Sequence, residues 1–244
     1  MNRVMETKQY AWPDVFTVPK VDGQPNEDRY QSSRRGVHAL SDGASVSFDS
    51  ASWAQILVRR YARNPEVTRQ WIGDAITEFG RLYDRESMPW MKQASFDRGT
   101  FASLLGVRIV DEGKNIQVLS IGDTLAVLCK GDSISSTFPY VEPGEFDQRP
   151  QLLCTNPTEN GFVDEPDFDF HRFADWTFCG LEQPALLCMT DALGHWLLTH
   201  RAQEPSPIAI LRGIRSAKAF ARFVRDERES GRMRRDDTTL MAFW

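Results

Sequence analysis

The hydrophobic period of this 244-residue chain changes repeatedly from one end to the other, and that alternation limits the folds open to it. Val15 to Val18 and Gly36 to Leu40 read as short strands. Ser45 to Arg63 reads as a helix, because Trp53, Ile56, Leu57, Val58 and Tyr61 fall largely at three- and four-residue spacings. Asn64-Pro65 ends it, since the residue before a proline avoids helical backbone angles. Trp71 to Arg85 reads as a second helix, with Ile72, Ile76, Phe79 and Tyr83 on its buried stripe. Then the period shortens. Thr100 to Val110 is rich in apolar and β-branched residues. Ile116 to Ile121 and Thr124 to Cys129 read as two strands joined by a turn at Gly122-Asp123, and Asp132 to Phe138 adds another.

Pro139 to Phe173 breaks the pattern with five prolines, many acids and little periodicity. It reads as a long surface insertion with weak internal structure, and loops of that length are usually functional or mobile. Ala185 to Thr190 is a fully apolar strand that ends in Asp191. Pro207 to Glu229 reads as the longest helix, its stripe made by Ile208, Leu211, Ile214, Ala217, Phe220 and Phe223 or Val224, and Thr238 to Trp244 is a last strand. Two groups of strands and two groups of helices predict a single α+β domain, with sheets packed face to face and helices outside. No βαβ alternation and no glycine-rich loop between strand and helix support a Rossmann or P-loop reading.

Composition narrows the function. With 41% hydrophobic and 26% charged residues the chain is not of the disordered type. A formal net charge of -5 speaks against a nucleic-acid binder. Cys129, Cys154, Cys179 and Cys188 form no CxxC pair, so we expect reduced, mostly buried thiols. Met1 to Pro19 has no long apolar run, and no stretch reaches the ~18 apolar residues that would span a bilayer. The expectation is a soluble cytoplasmic monomer with no nucleic-acid or membrane partner.

Five acidic segments stand out by position: Asn26-Glu27-Asp28, Ser41-Asp42-Gly43, Ile121-Gly122-Asp123, Met189-Thr190-Asp191 and Arg235-Asp236-Asp237. In four of them the acid sits at the end of an apolar strand or at a turn between strands; Asp28 sits just before one. Taken singly, each has an ordinary reading as a turn residue or a solvated pair. Gathered at one rim, the carboxylates would repel, and divalent cations would compensate them. Mg²⁺ and Mn²⁺ prefer oxygen ligands. Two such ions can share a water, lower its pKa and attract a phosphate, which reconciles an acidic chain with an anionic substrate.

The ordered series Asn26-Glu27-Asp28, Ser41-Asp42-Gly43, Gly99-Thr100-Phe101-Ala102, Ile121-Gly122-Asp123-Thr124, Thr190-Asp191 and Asp236-Asp237-Thr238-Thr239 resembles the motif series of the PP2C (PPM) metal-dependent protein serine/threonine phosphatases of bacterial type. The resemblance runs from about Asn26 to the C-terminus. It implies an αββα sandwich, two central antiparallel sheets flanked by helices, with two Mn²⁺ or Mg²⁺ ions in a channel at one end. It implies that Asp42 bridges both ions with the Gly43 carbonyl completing one shell, that Asp191 and Asp236 hold the first, and that Glu27 contacts the second. Asp28 would orient a metal-bound water, Asp123 would match a third, weaker site, and Thr100 would support the site from the core. The implied reaction is direct attack of the bridging hydroxide on phosphoserine or phosphothreonine, on a phosphoprotein made by a cognate Ser/Thr kinase. An insertion near Pro139 to Phe173 can act as a flap in such enzymes.

This chain departs from the family pattern in three places. Ala44-Ser45 follows Asp42-Gly43 where relatives often carry a His proposed as general acid. Asp191 is followed by Ala192 rather than Gly. The Arg that many relatives use to grip phosphate is absent, and Lys20 is the candidate in its place, as a point charge without bidentate geometry. His38 reads as a structural strand residue. His195, on an expected helix after Asp191, is a weaker candidate for the channel. Arg232 to Arg235 reads as a solvated loop more readily than as a phosphate cradle. Two other functions stay open at this point: a catalytically weak module that binds a phosphoprotein or kinase, and a hydrolase of small phosphorylated metabolites.

Overall fold

The computed structural model describes residues 12–244. The reading of Met1 to Pro19 therefore lies, for residues 1–11, outside the described residues. Three strands open the fold: β1 (Asp14–Val18), β2 (Arg29–Ser32) and β3 (Val37–Ser41). Helices α1 (Ser50–Arg63), α2 (Arg69–Gly80) and α3 (Trp90–Asp97) follow. Next come β4 (Phe101–Ala102), β5 (Leu104–Val110), β6 (Asn115–Ile121), β7 (Leu125–Lys130) and β8 (Ser133–Phe138). After them lie β9 (Leu153–Cys154), α4 (Phe168–Arg172), β10 (Phe173–Thr177) and β11 (Pro184–Met189). The chain ends with α5 (Asp191–His200), α6 (Pro207–Gly213), α7 (Ala217–Glu229) and β12 (Thr238–Phe243).

The larger strands make two five-stranded sheets in the orders β1-β12-β11-β7-β8 and β10-β6-β5-β3-β2. Every neighbouring pair is antiparallel. Both faces of each sheet are covered, and this is why the central strands are apolar without a break. Along β11, Leu186 and Cys188 enter the core between the sheets, beside Leu105, Val107, Val118 and Met241. Ala185, Leu187 and Met189 point the other way, onto Leu193, Leu197, Leu211 and Phe220 of the α5–α7 layer. On the second sheet Val37, Ala39, Leu119 and Ile121 meet Trp53, Leu57, Ile72 and Phe79 of α1 and α2. The order of layers is helix, sheet, sheet, helix, the expected αββα sandwich. Each fully buried Leu or Phe in these three cores contributes roughly 1.5–3 kcal/mol. One contact between layers needs a missing side chain: a Cβ on Gly106 of β5 would lie 2.2–2.5 Å from the ring of Tyr61 in α1.

Several expectations change in detail. The helix predicted from Ser45 starts at Ser50, because Asp49 caps it by accepting from Ser52 N (3.2 Å). The second helix stops at Gly80, and Tyr83 instead joins Phe48, Phe79 and Phe96 in an aromatic cluster beyond it. Pro207 to Glu229 is two helices, since Gly213 ends α6 and the Ser216 hydroxyl accepts from Ala219 N (3.2 Å) to start α7. Strands β6 and β7 do not form a hairpin: they lie in different sheets, so Gly122-Asp123 crosses between sheets. Pro139 to Phe173 is well structured. Its β9 pairs with β4, the Trp53 indole N–H donates to Leu153 O (2.9 Å), and Leu153, Phe162 and Phe168 are buried in the α1–α2 core. Its periodicity is hidden because single-turn helices and a two-residue strand bury isolated residues rather than a stripe. Cys129, Cys154 and Cys188 are buried free thiols and Cys179 is exposed. No helix among the described residues is long and apolar enough to cross a membrane.

Candidate active site

Antiparallel register brings the acidic segments to one end of the sandwich. Arg29 pairs with Ser41, Leu104 with Ile121, Leu125 with Met189, and Val18 with Thr238. Asp28, Asp42, Asp123, Asp191 and Asp236 therefore stand at strand ends that share one edge of the molecule. Asp42 continues β3, and its backbone N–H donates to Ser103 Oγ (2.9 Å) while Ser103 N donates back to Asp42 O (2.9 Å). The Gly122 turn lies on that same serine. At φ +104° it needs glycine, and a Cβ there would lie 2.6 Å from Ser103 Cβ. Ser103 thus anchors both Asp42 and the turn that carries Asp123. Gly43 bridges to Ala102 and backs onto Ser50 at the start of α1, where a Cβ would come within 2.9 Å of the Ser50 backbone. Ser50 Oγ donates to Glu27 Oε1 (2.5 Å), so Glu27 and Gly43 meet at the same residue.

Asp28 and Asp237 tie the remaining segments together. Asp28 is buried, and its Oδ2 accepts from the hydroxyls of Thr190 (3.1 Å) and Thr239 (2.7 Å), joining the ends of β2, β11 and β12. Its Oδ1 is buried with no partner. Asp237 accepts from the backbone N–H groups of Lys20 and Glu27, each at 2.5 Å, and so holds both ends of the loop that carries Glu27. Asp191 opens α5 and accepts from Ala192 N (2.6 Å). Asp236 Oδ1 accepts from Asp237 N (2.9 Å) and faces Lys20 Nζ at 3.3 Å.

The carboxylates sense one another. Burial, then the charges of Asp28, Asp191, Asp123 and Asp236, push Asp42 well above the usual carboxylate range. Burial raises Asp28 in the same way, opposed by the two threonine hydroxyls and reinforced by Asp237 and Asp191. Asp191 is pushed up to about 7 by burial and by Asp123 and Asp236. Asp123 is raised by burial and by Asp236. Such mutual elevation is what like charges crowded into a poorly solvated rim produce.

This donor set is all oxygen and strongly anionic, with an unpartnered carboxylate oxygen among it, and so fits hard divalent cations. Among the described residues no three His, Cys, Asp or Glu side chains are closed into a ready metal cage. The group is a loose cluster of neighbours that Asp42 joins by its charge to Asp28, Asp123, Asp191 and Asp236. Glu27 belongs through Ser50 and Asp237 rather than by contact with an aspartate side chain.

The other candidates divide. Lys20 is at the rim, with its ammonium engaged by Asp236. Thr100 is buried and its hydroxyl donates to Phe48 O, supporting the Ala44–Asp49 segment from within. His38 is between the sheets, edge-on to Phe243 at 4.8 Å and lowered to about 4 by burial, a core residue away from the carboxylates. His195 faces Phe146 at 6.1 Å and is lowered by burial and by Arg234. Arg232 pairs with Glu227 and Arg234 with Asp147, so the loop is no shared phosphate cradle. Arg234 also donates to Phe146 O (3.4 Å), and the Phe146 ring packs where a Cβ on Gly194 would be 2.8 Å away. The 139–173 segment is thereby docked on α5 beside Asp191, and Asp123 helps burial raise Tyr140 to about 12.

Ser50, Ser103, Thr190 and Asp237 escaped the sequence reading as site residues. Their signal was adjacency to the acids, but small hydroxyl residues at strand ends are too common for that to single them out.

No family model and no curated protein matches the chain by sequence. Solved structures do. A bacterial serine phosphatase superposes with a TM-score of 0.61 at 11% identity, covering 94% of this chain and 96% of that one. The serine/threonine phosphatase Stp1 from Staphylococcus aureus gives 0.61 at 12% identity, with 99% and 98% covered. The catalytic domain of the serine/threonine protein phosphatase PstP, in complex with two manganese ions, gives 0.58 at 12%, with 94% and 96% covered. The chain has the fold of these phosphatases over nearly its whole length.

Proposed function

We propose that this chain is a PP2C-type, metal-dependent phosphatase that hydrolyses phosphoserine or phosphothreonine in a protein. One observation carries the reading. Carboxylates from five separate segments, Asp28, Asp42, Asp123, Asp191 and Asp236, meet at one end of a sandwich shared with serine/threonine phosphatases. Two Mn²⁺ or Mg²⁺ ions, when bound, supply an activated water and attract the phosphate. Asp42 is the central ligand, with the Gly43 carbonyl. Asp191 and Asp236 hold the first ion, Glu27 the second, and Asp123 a third and weaker one. Asp28 uses one oxygen to hold Thr190 and Thr239 and keeps the other for a water proton. Lys20 meets the entering phosphate at the rim, and the 139–173 segment acts as a flap. The physiological substrate is the product of a Ser/Thr kinase.

The test is hydrolysis of a phosphothreonine peptide with Mn²⁺. Asp42→Asn and Asp191→Asn should each lower kcat about 10²- to 10³-fold with unchanged circular dichroism, the range for losing charge stabilisation of a transition state. Turnover that survives complete chelation would sink the two-metal reading.

A catalytically weak module that binds a phosphoprotein or a kinase is the second reading. Ala44 in place of a general acid, Ala192 after Asp191, and the engagement of Lys20 by Asp236 favour it. Calorimetry separates the two: tight Mn²⁺ binding without turnover of any phosphopeptide selects the module. Turnover confined to sugar or nucleotide phosphates would instead select a small-molecule phosphatase.

A further inference from the structure

We infer that a basic cleft beside the carboxylate cluster selects phosphoprotein substrates that carry a second anionic side chain next to the phosphoresidue; this rests on the phosphatase reading above. The cleft has a volume of about 320 Å³ and lies between the loop after β1, one face of α7 and the loop before β12. Lys20, Arg225, Arg228 and Arg235 line it, against only Asp22 and Glu229. The local surplus is two positive charges (four minus two) in a chain whose net charge is -5.

The state of each cation points outward, to a ligand. Arg225 and Arg235 are exposed, and their side chains have no hydrogen bond or ion pair among the described residues. Arg232 and Arg234 in the same loop are both paired, with Glu227 and Asp147. Arg228 is partly buried, and its guanidinium donates to uncharged oxygens only: Pro19 O (2.9 Å), Asp236 O and Thr238 Oγ1 (2.9 Å). Its charge therefore has no carboxylate in direct contact, and its Nε is buried without a partner. Guanidinium groups prefer carboxylate and phosphate oxygens in two-pronged contact, and two free ones at one cleft suit such a guest.

Position gives the cleft its role. Lys20 lines it and also reaches Asp236 at 3.3 Å, while Arg228 holds the Asp236 carbonyl. The cleft and the carboxylate cluster thus share one wall. An extended peptide with its phosphoresidue over the carboxylates would lay a neighbouring side chain into the cleft, and an acidic or phosphorylated one would find the cations.

The experiment uses four phosphothreonine peptides whose residues on either side are neutral, glutamate, phosphoserine or lysine. Binding is read by fluorescence anisotropy and turnover by phosphate release. The full chain should favour the acidic peptides about fivefold in Kd and KM, with kcat alike, as two exposed charge pairs allow, and the preference should fade by ~0.5 M salt. Phosphoserine above glutamate assigns a second phosphate as the guest; equal values assign any anion. In R225A/R235A the ratio should fall to about one, and in R225E/R235E it should reverse toward a peptide with lysine neighbours, with melting temperature as the control for folding. An unselective full chain, or a reversal that fails in the folded double glutamate variant, overturns the proposal. Acid-selective binding without turnover would overturn the phosphatase reading and leave the cleft standing, whereas equal turnover of all peptides would do the opposite.

Discussion

Replacing Asp191 by Asn should stabilise the metal-free protein while sharply lowering its activity. Asp191 is raised from 3.8 to about 7, by burial first and then by Asp123 and Asp236. A carboxyl with a higher pKa in the folded than in the unfolded state favours folding below its unfolded value, near 3.8, and loses that stability as pH rises through about 7. The shift corresponds to about 4 kcal/mol at pH 8, of which the share owed to neighbouring charges is coupled to their own titration, so about 2–4 kcal/mol is expected. Asn keeps the oxygen that accepts from Ala192 N and removes the charge. For a chain of this size that stabilisation should raise Tm by ~5–15 °C in chelator at pH 8. The gain should shrink to under ~1 kcal/mol at pH 4, where the wild-type carboxyl is protonated in the folded state and only about half ionised in the unfolded one. Saturating Mn²⁺ should then raise Tm of the wild type and not of the variant. Thermal melts of both proteins between pH 4 and 8, with and without chelator, make the comparison. An unchanged or lower Tm for the variant at pH 8, or a gain independent of pH, would refute the claim that these carboxylates crowd one another.

Gly106→Ala should destabilise the fold by about 1–3 kcal/mol, because its Cβ would meet the Tyr61 ring between α1 and β5; a urea titration checks it, and a shift of under half a kcal/mol would mean the layers can part freely. Asp237→Ala should speed hydrogen exchange at the Lys20 and Glu27 amides it now holds, and lower activity through loss of Mn²⁺ affinity rather than of kcat at saturating metal. Unchanged exchange at both amides would show that the loop is held by something else.

Much of the sandwich could be read from local pattern. Strand and helix periods, the Asn64-Pro65 stop and the continuous apolar run of β11 depend on residues near one another in the chain, and these came out close to place. Segments whose burial is not periodic did not: β9 and the short helices of 139–173 bury one or two residues each, β10 fully buries none, and no pattern of 2 or 3.6 can register them. The acidic segments were equally visible one by one, and resemblance suggested that they belong together. Their convergence was settled by pairing across long separations. Val18 aligns with Thr238, Arg29 with Ser41, and Met189 with Leu125, so strands running in opposite directions end at one edge. A turn such as Gly122-Asp123 looks the same whether it closes a hairpin or crosses between sheets, because the chain nearby is identical in both. The distinction lies in which surfaces are buried against each other, and that is a property of the packed layers, as are the serine, threonine and Asp237 contacts that hold the carboxylates in place.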